Sequence, residues 1–143
     1  MPFYRATVPQ GSLSRDQKRE LALAITDVHC ARTGGTPRKF VHVVFTEFST
    51  DDGFSGGEPS TVSMIIGLIR AGRSEEVRIG LVTGITDRWR EITGQSSADV
   101  LVALHEVRPR DAMEWGVLLP EDGAETAWIA EHDLALTPAT GRA

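Results

Sequence analysis

Apolar and polar positions along the chain fall into the same order of blocks twice. Phe3-Tyr4-Arg5-Ala6-Thr7-Val8 is a strand-like run that Pro9-Gln10-Gly11 breaks. Ser14 then makes a good helix N-cap, with Gln17 three residues on to complete a capping box. Leu21, Ala24, Ile25 and Val28 line one face of the predicted helix, and Gly34-Gly35 and Pro37 stop it. Residues 40–48, rich in valine and phenylalanine, predict a second strand. The order then returns. Residues 62–69 form a mostly apolar strand, and Ser74 caps a helix with Glu75 and Glu76 in its first turn. Leu81, Ile85, Trp89 and Ile92 supply its buried face, Gly94 ends it, and residues 100–107 close the pattern as a strand.

The correspondence extends to residue identity. Shifted by 60 positions, Ser14 falls on Ser74, Ile25-Thr26-Asp27 on Ile85-Thr86-Asp87, and Thr33-Gly34 on Thr93-Gly94. After a one-residue deletion, Val41, Val43, Phe45 and Glu47 fall on Val100, Val102, Leu104 and Glu106. Such self-similarity marks a duplicated supersecondary unit. A strand–helix–strand crossover makes its two strands parallel and right-handed. The predicted fold is therefore α/β, with two fused β-α-β units forming one four-stranded mixed sheet and both helices on one face. One domain spans residues 1–143: repeat units 2–48 and 62–107, a polar Gly-rich connector 49–61, and a tail 108–143 with a short helix near 124–131 and a loose end. The strands at 41–45 and 62–69 are apolar enough to need cover on both faces. A homo-oligomer would cover the face that the helices leave bare.

Composition narrows the chemistry. The chain is long enough to bury a real core, and its net charge of −5 without any Lys/Arg run argues against a nucleic-acid partner. No apolar stretch reaches membrane-spanning length, and no basic-then-apolar leader opens the chain. With Cys30 as the single cysteine, this fits a reducing cytoplasm. His29, His42, His105 and His132 lack metal-ligand spacing, and neither a phosphate loop nor a dinucleotide fingerprint occurs. An enzyme of this composition is expected to use no metal and no cofactor.

Four places carry possible chemistry. An initiator methionine before proline is usually removed, which would leave Pro2 a secondary amine at the start of a rigid strand. An α-amino group titrates near ~8, so a modest shift makes it an acid or base at neutral pH; the alternative is an ordinary Met-Pro start. Arg70 and Arg73 sit on a turn leading into a helix N-terminus, either as a bidentate carboxylate clamp or as a solvated pair. His29 follows the apolar face of the first helix, either as a functional group or as a satisfied buried histidine. Glu114, in Met113-Glu114-Trp115-Gly116, is either a carboxylate raised by its apolar setting or a surface residue beside a packed tryptophan.

Taken together, Pro2, Ala24-Ile25-Thr26-Asp27-Val28-His29, Phe54-Ser55-Gly56-Gly57, Ile69-Arg70-Ala71-Gly72-Arg73-Ser74 and Met113-Glu114-Trp115-Gly116 with Leu119-Pro120 form an ordered set. On these residues the chain resembles the tautomerase superfamily, and looks most like its cis-3-chloroacrylic acid dehalogenase group, over roughly residues 2–128. The resemblance implies a trimer, proton transfer by Pro2, and a substrate carboxylate held by Arg70 and Arg73 with His29. It also implies a water-positioning Glu114. One position departs: Ala103 stands where that group has a water-assisting tyrosine, and alanine has no side-chain hydrogen bond to offer.

Hydrolytic dehalogenation loses more from this change than keto–enol tautomerisation does, because only the former must activate water. Ala103 would also open space, with Phe40 and Trp115 as an aromatic wall. The expected activity is thus a cofactor-independent tautomerase or isomerase acting on a small 2-oxo or enol carboxylic acid, aromatic ones included. The alternatives are a dehalogenase or hydratase of cis-3-haloacrylate-like acids, a cofactor-free oxygenase acting on an enolpyruvate, and a non-catalytic ligand-binding module.

Overall fold

The computed structural model describes residues 1–34 and 36–132, so the predicted loose end lies outside the described residues. In chain order its elements are β1 (Phe3–Pro9), α1 (Arg15–Thr33), β2 (His42–Phe48), β3 (Phe54–Ser55), β4 (Glu58–Pro59), β5 (Ser63–Arg70), α2 (Glu75–Thr93), β6 (Val100–Val107), β7 (Met113–Glu114), β8 (Val117–Leu118) and α3 (Glu125–Glu131). Both long helices begin and end on the predicted residues. Ser14 Oγ accepts from the Gln17 backbone N–H at 3.1 Å while the Ser14 N–H donates to Gln17 Oε1 at 2.9 Å. Gly34 and Gly94 end the helices in the left-handed conformation that glycine adopts without steric cost.

The sheet order is β2-β1-β5-β6. β1 runs parallel to β2, with Phe3 opposite His42, and antiparallel to β5, with Phe3 opposite Leu68. β5 and β6 are parallel. The two β-α-β units therefore meet along β1 and β5, which brings the start of β1 beside the end of β5. Tyr4, Ala6, Val8, Ile65 and Ile69 face Leu21, Ile25, Leu81, Ile85 and Trp89 in one core. Alternation of side chains along the strands sends Val44, Met64 and Leu101 to the opposite face, where they stay largely exposed. The bare face predicted from the sequence is present.

Small residues set two close approaches. A β-carbon on Gly84 of α2 would stand 2.9 Å from Val28 Cγ1 of α1, and one on Gly67 of β5 would stand 2.5 Å from the Tyr4 ring. The absent β-carbon at Gly67 leaves room for the Tyr4 ring, whose hydroxyl reaches His29 of α1.

The connector and the tail are more structured than expected. β3 and β4 pair as a two-residue ladder about Gly56-Gly57. In the tail, β7 and β8 form a hairpin and α3 folds back over the start of β1. Phe40, Leu119 and Trp128 make a second small core there, with Met1, Ala112, Val117 and Ile129 packed against it.

Candidate active site

The chain start is enclosed. Pro2 is fully buried, and its carbonyl accepts from the His42 N–H at 3.0 Å, which ties the first residues to β2. The Met1 amine lies against Glu114 Oε2, and the same carboxylate meets His42 Nε2 through Oε1. The hairpin between β7 and β8 places Glu114. Its two loop residues, Trp115 and Gly116, both have positive φ (56° and 77°), as a tight two-residue turn requires. For tryptophan that conformation is costly, by about 1–2 kcal/mol. The Trp115 ring, 5.1 Å from Phe40 and beneath the Lys39 ammonium at 4.2 Å, offsets part of the cost.

Around Met1 the lining consists of Thr36, Pro37, Phe40, Arg70, Glu114, Leu119, Pro120, Glu125, Trp128 and Ile129. With the Met1 side chain in place only about 20 Å³ remains open, room for a single water. The N-terminal amine is strongly perturbed. Burial, and then the Arg70 charge, bring it from 8.0 down to about 5. At neutral pH it is a free base.

His29 is buried on α1, and its Nδ1 lies 2.8 Å from the Tyr4 hydroxyl. Among the described residues its Nε2 has no hydrogen-bond partner. Burial and the charges of Arg73, the N-terminus and Arg70 lower its pKa to about 3, so the ring is neutral. If Nδ1 carried the proton, both the Tyr4 O–H and Nε2 would be unpaired. Donation from Tyr4 to Nδ1 leaves one orphan instead, an Nε2–H donor. His29 can thus offer a hydrogen bond to an oxygen atom without bearing charge.

Arg70 ends β5, and Arg73 lies on the turn before the Ser74 cap of α2; both are buried. Both reach Glu125, and residues of the tail engage them. Arg70 Nη1 donates to the carbonyls of Pro120 at 2.7 Å and Glu121 at 3.3 Å, and Nη2 donates to Glu125 Oε1. Arg73 reaches the same Glu125 oxygen at 3.3 Å and pairs with Asp122 at 2.5 Å.

Of the residues singled out from the sequence, Phe40, Arg70 and Glu114 line the cavity around Met1; Pro2, His29 and Arg73 are not part of that lining, although Arg73 shares Glu125 with Arg70. Trp115 stays outside the cavity lining, half exposed, and supports Phe40 from behind. Ala103 sits opposite Ile66 on the uncovered face of the sheet, two strands away from β1. Within one chain it neither opens nor closes this cavity. Sequence reading missed Glu125, Trp128, Leu119 and His42. Leu119 lay within a noted motif, but nothing in spacing pairs Glu125 with an arginine 55 positions earlier.

Among the described residues, no group of three or more His, Cys, Asp or Glu is placed to hold a metal, and no helix is long and apolar enough to cross a membrane.

Solved structures share this architecture. The crystal structure of native Ps01740 is 36% identical, covering 78% of this chain and 99% of that one, with a TM-score of 0.76. N1, a member of the cis-3-chloroacrylic acid dehalogenase family, is 25% identical over 90% of each chain, with a TM-score of 0.86. A fused 4-OT described as a wild-type symmetric trimer is 21% identical, covering 82% of this chain and 94% of that one, with a TM-score of 0.75. No curated protein sequence matches. The model of the family described as "Putative oxalocrotonate tautomerase enzyme" matches residues 1–133, almost the whole length, and the chain belongs to that tautomerase family.

Proposed function

We propose that, once Met1 is removed, this chain is a cofactor-independent tautomerase whose Pro2 amine moves a proton on a 2-oxo or enol carboxylic acid. The observation that carries this reading is the chain start itself. The N-terminal amine is buried, neutral at pH 7, and walled by Arg70, Glu114 and an apolar cluster. Removal of Met1 transfers the amine to Pro2, already fixed at the head of β1, and vacates a side-chain volume between Phe40, Leu119, Trp128 and Ile129. An aryl or alkyl body fits that space.

In ketonisation the enol O–H proton passes to the Pro2 nitrogen as the C2–O bond becomes a carbonyl. The electron pair of the C2–C3 double bond then takes a proton at C3 from the Pro2 ammonium, so the amine ends as it began. The His29 Nε2–H and the arginine charges favour the negative charge that develops on oxygen.

Glu114 keeps a second reading open. A carboxylate beside the amine is placed to orient water, which hydrolytic dehalogenation requires, and Ala103 disfavours that reaction only if a neighbouring copy brings it to the cavity. A panel of enolpyruvates and cis-3-haloacrylates separates the two. Ketonisation is expected to dominate, and halide release at a rival rate would reverse the assignment. Assembly through the apolar sheet face belongs to the same reading, with a homotrimer as the expected species in sedimentation equilibrium; a monomer at micromolar concentration would contradict it.

A further inference from the structure

We propose that Glu125 is a specificity-determining residue, an internal carboxylate seated where a substrate carboxylate would meet Arg70 and Arg73. The inference rests on the carboxylate-substrate reading above and adds a competitor to it. Residues 120–125 supply five contacts to the two guanidinium groups, and Glu125 Oε1 bridges both. On the guanidinium pair the charges cancel: Arg70 and Arg73 against Glu125 and Asp122. The arginine pair offers an incoming carboxylate a net positive charge only once Glu125 leaves.

Displacing Glu125 means moving α3, which is held by Trp128. The Trp128 ring lies 5.9 Å from Phe40, and its Nε1–H donates to the Leu118 carbonyl at 2.8 Å. That displacement lowers the affinity of every carboxylate by the fraction of time the arginines are free. Ligands that also fill the apolar space beside Phe40, Leu119 and Ile129 recover the loss, whereas three-carbon acids do not. The arrangement selects carboxylates with a bulky apolar body.

The test uses Met1-processed protein and two non-reacting probes of equal shape, 3-phenylpropionate and its neutral amide, measured by calorimetry in wild type and Glu125→Gln. Glutamine keeps the size and removes the charge. The carboxylate is expected to bind about tenfold more tightly to the variant, with the amide unchanged within about twofold. Unchanged or weaker carboxylate binding overturns the role of Glu125 while leaving the substrate class standing. Failure of the carboxylate to bind either protein overturns the substrate class, and this inference with it. Should the variant not fold, hydrogen exchange on wild type decides. Amides of residues 125–131 should exchange faster at saturating 3-phenylpropionate, and equal or slower exchange refutes displacement.

Discussion

Ketonisation of an enolpyruvate falls by about 10²–10⁴-fold when the Pro2 amine is lost, the range general acid–base groups supply. Retention of Met1 and replacement of Pro2 by alanine remove it in different ways. With Met1 retained, the Pro2 nitrogen is an amide and cannot accept a proton, and the Met1 side chain fills the cavity down to about 20 Å³. That form should be the less active of the two. In a processed Pro2→Ala chain a primary amine remains at the head of β1, but it lacks the ring that fixes φ, so some activity survives. The pH profile gives an independent reading. Burial and Arg70 bring the Met1 amine from the ordinary ~8 to about 5, and a Pro2 amine one residue further in is expected to move in the same direction. Activity should then rise with pH on a limb below 8 and be flat through neutrality. His29, lowered to about 3, adds no limb in that window. Full turnover by a sample whose intact mass includes Met1 would end the proline mechanism.

The fold was largely legible because the signals that set it are local. Ser14 with Gln17, Ser74, Gly34 and Gly94 bound the helices, and the 60-residue repeat forces two crossovers whose strands must share a sheet. The cavity was legible only in part. Pro2, Arg70 and Arg73 announce themselves by type and by position at element ends. Glu125 and Trp128 do not, because a seven-residue helix carries too short a pattern to say where it docks. His42 looked like one more strand residue, and only pairing of β1 with β2 brings it to Glu114. Ala103 was not legible at all from one chain: period-two alternation along β6 points it to the uncovered face, where only a neighbouring copy could bring it to a cavity.

Removing Arg70 should destabilise the fold as well as the site. Its guanidinium is 5% exposed and is the main partner of Glu125, itself 8% exposed. Burial pushes the Glu125 carboxyl up. The Arg70 hydrogen bond, followed by the charges of Arg70 and Arg73, pulls it further down, to a net position below the ordinary carboxylate value. A carboxyl lowered on folding contributes stability above its unfolded pKa and loses it as pH falls through the folded one. The pair thus stabilises the fold at neutral pH and weakens in acid. Arg70→Ala strands Glu125 with Arg73 alone, at 3.3 Å, and leaves the Pro120 and Glu121 carbonyls without their donor. Breaking a buried pair costs about 3–5 kcal/mol, and the surviving Arg73 contact places the loss near the low end. In Arg70→Ala/Glu125→Gln no charge is stranded, so the second substitution should recover part of the loss. Denaturant unfolding of the wild type, both singles and the double at pH 7 measures the coupling. Additive losses would show that Arg70 and Glu125 do not depend on one another, and the docking of α3 would then rest on Trp128 and its apolar neighbours alone.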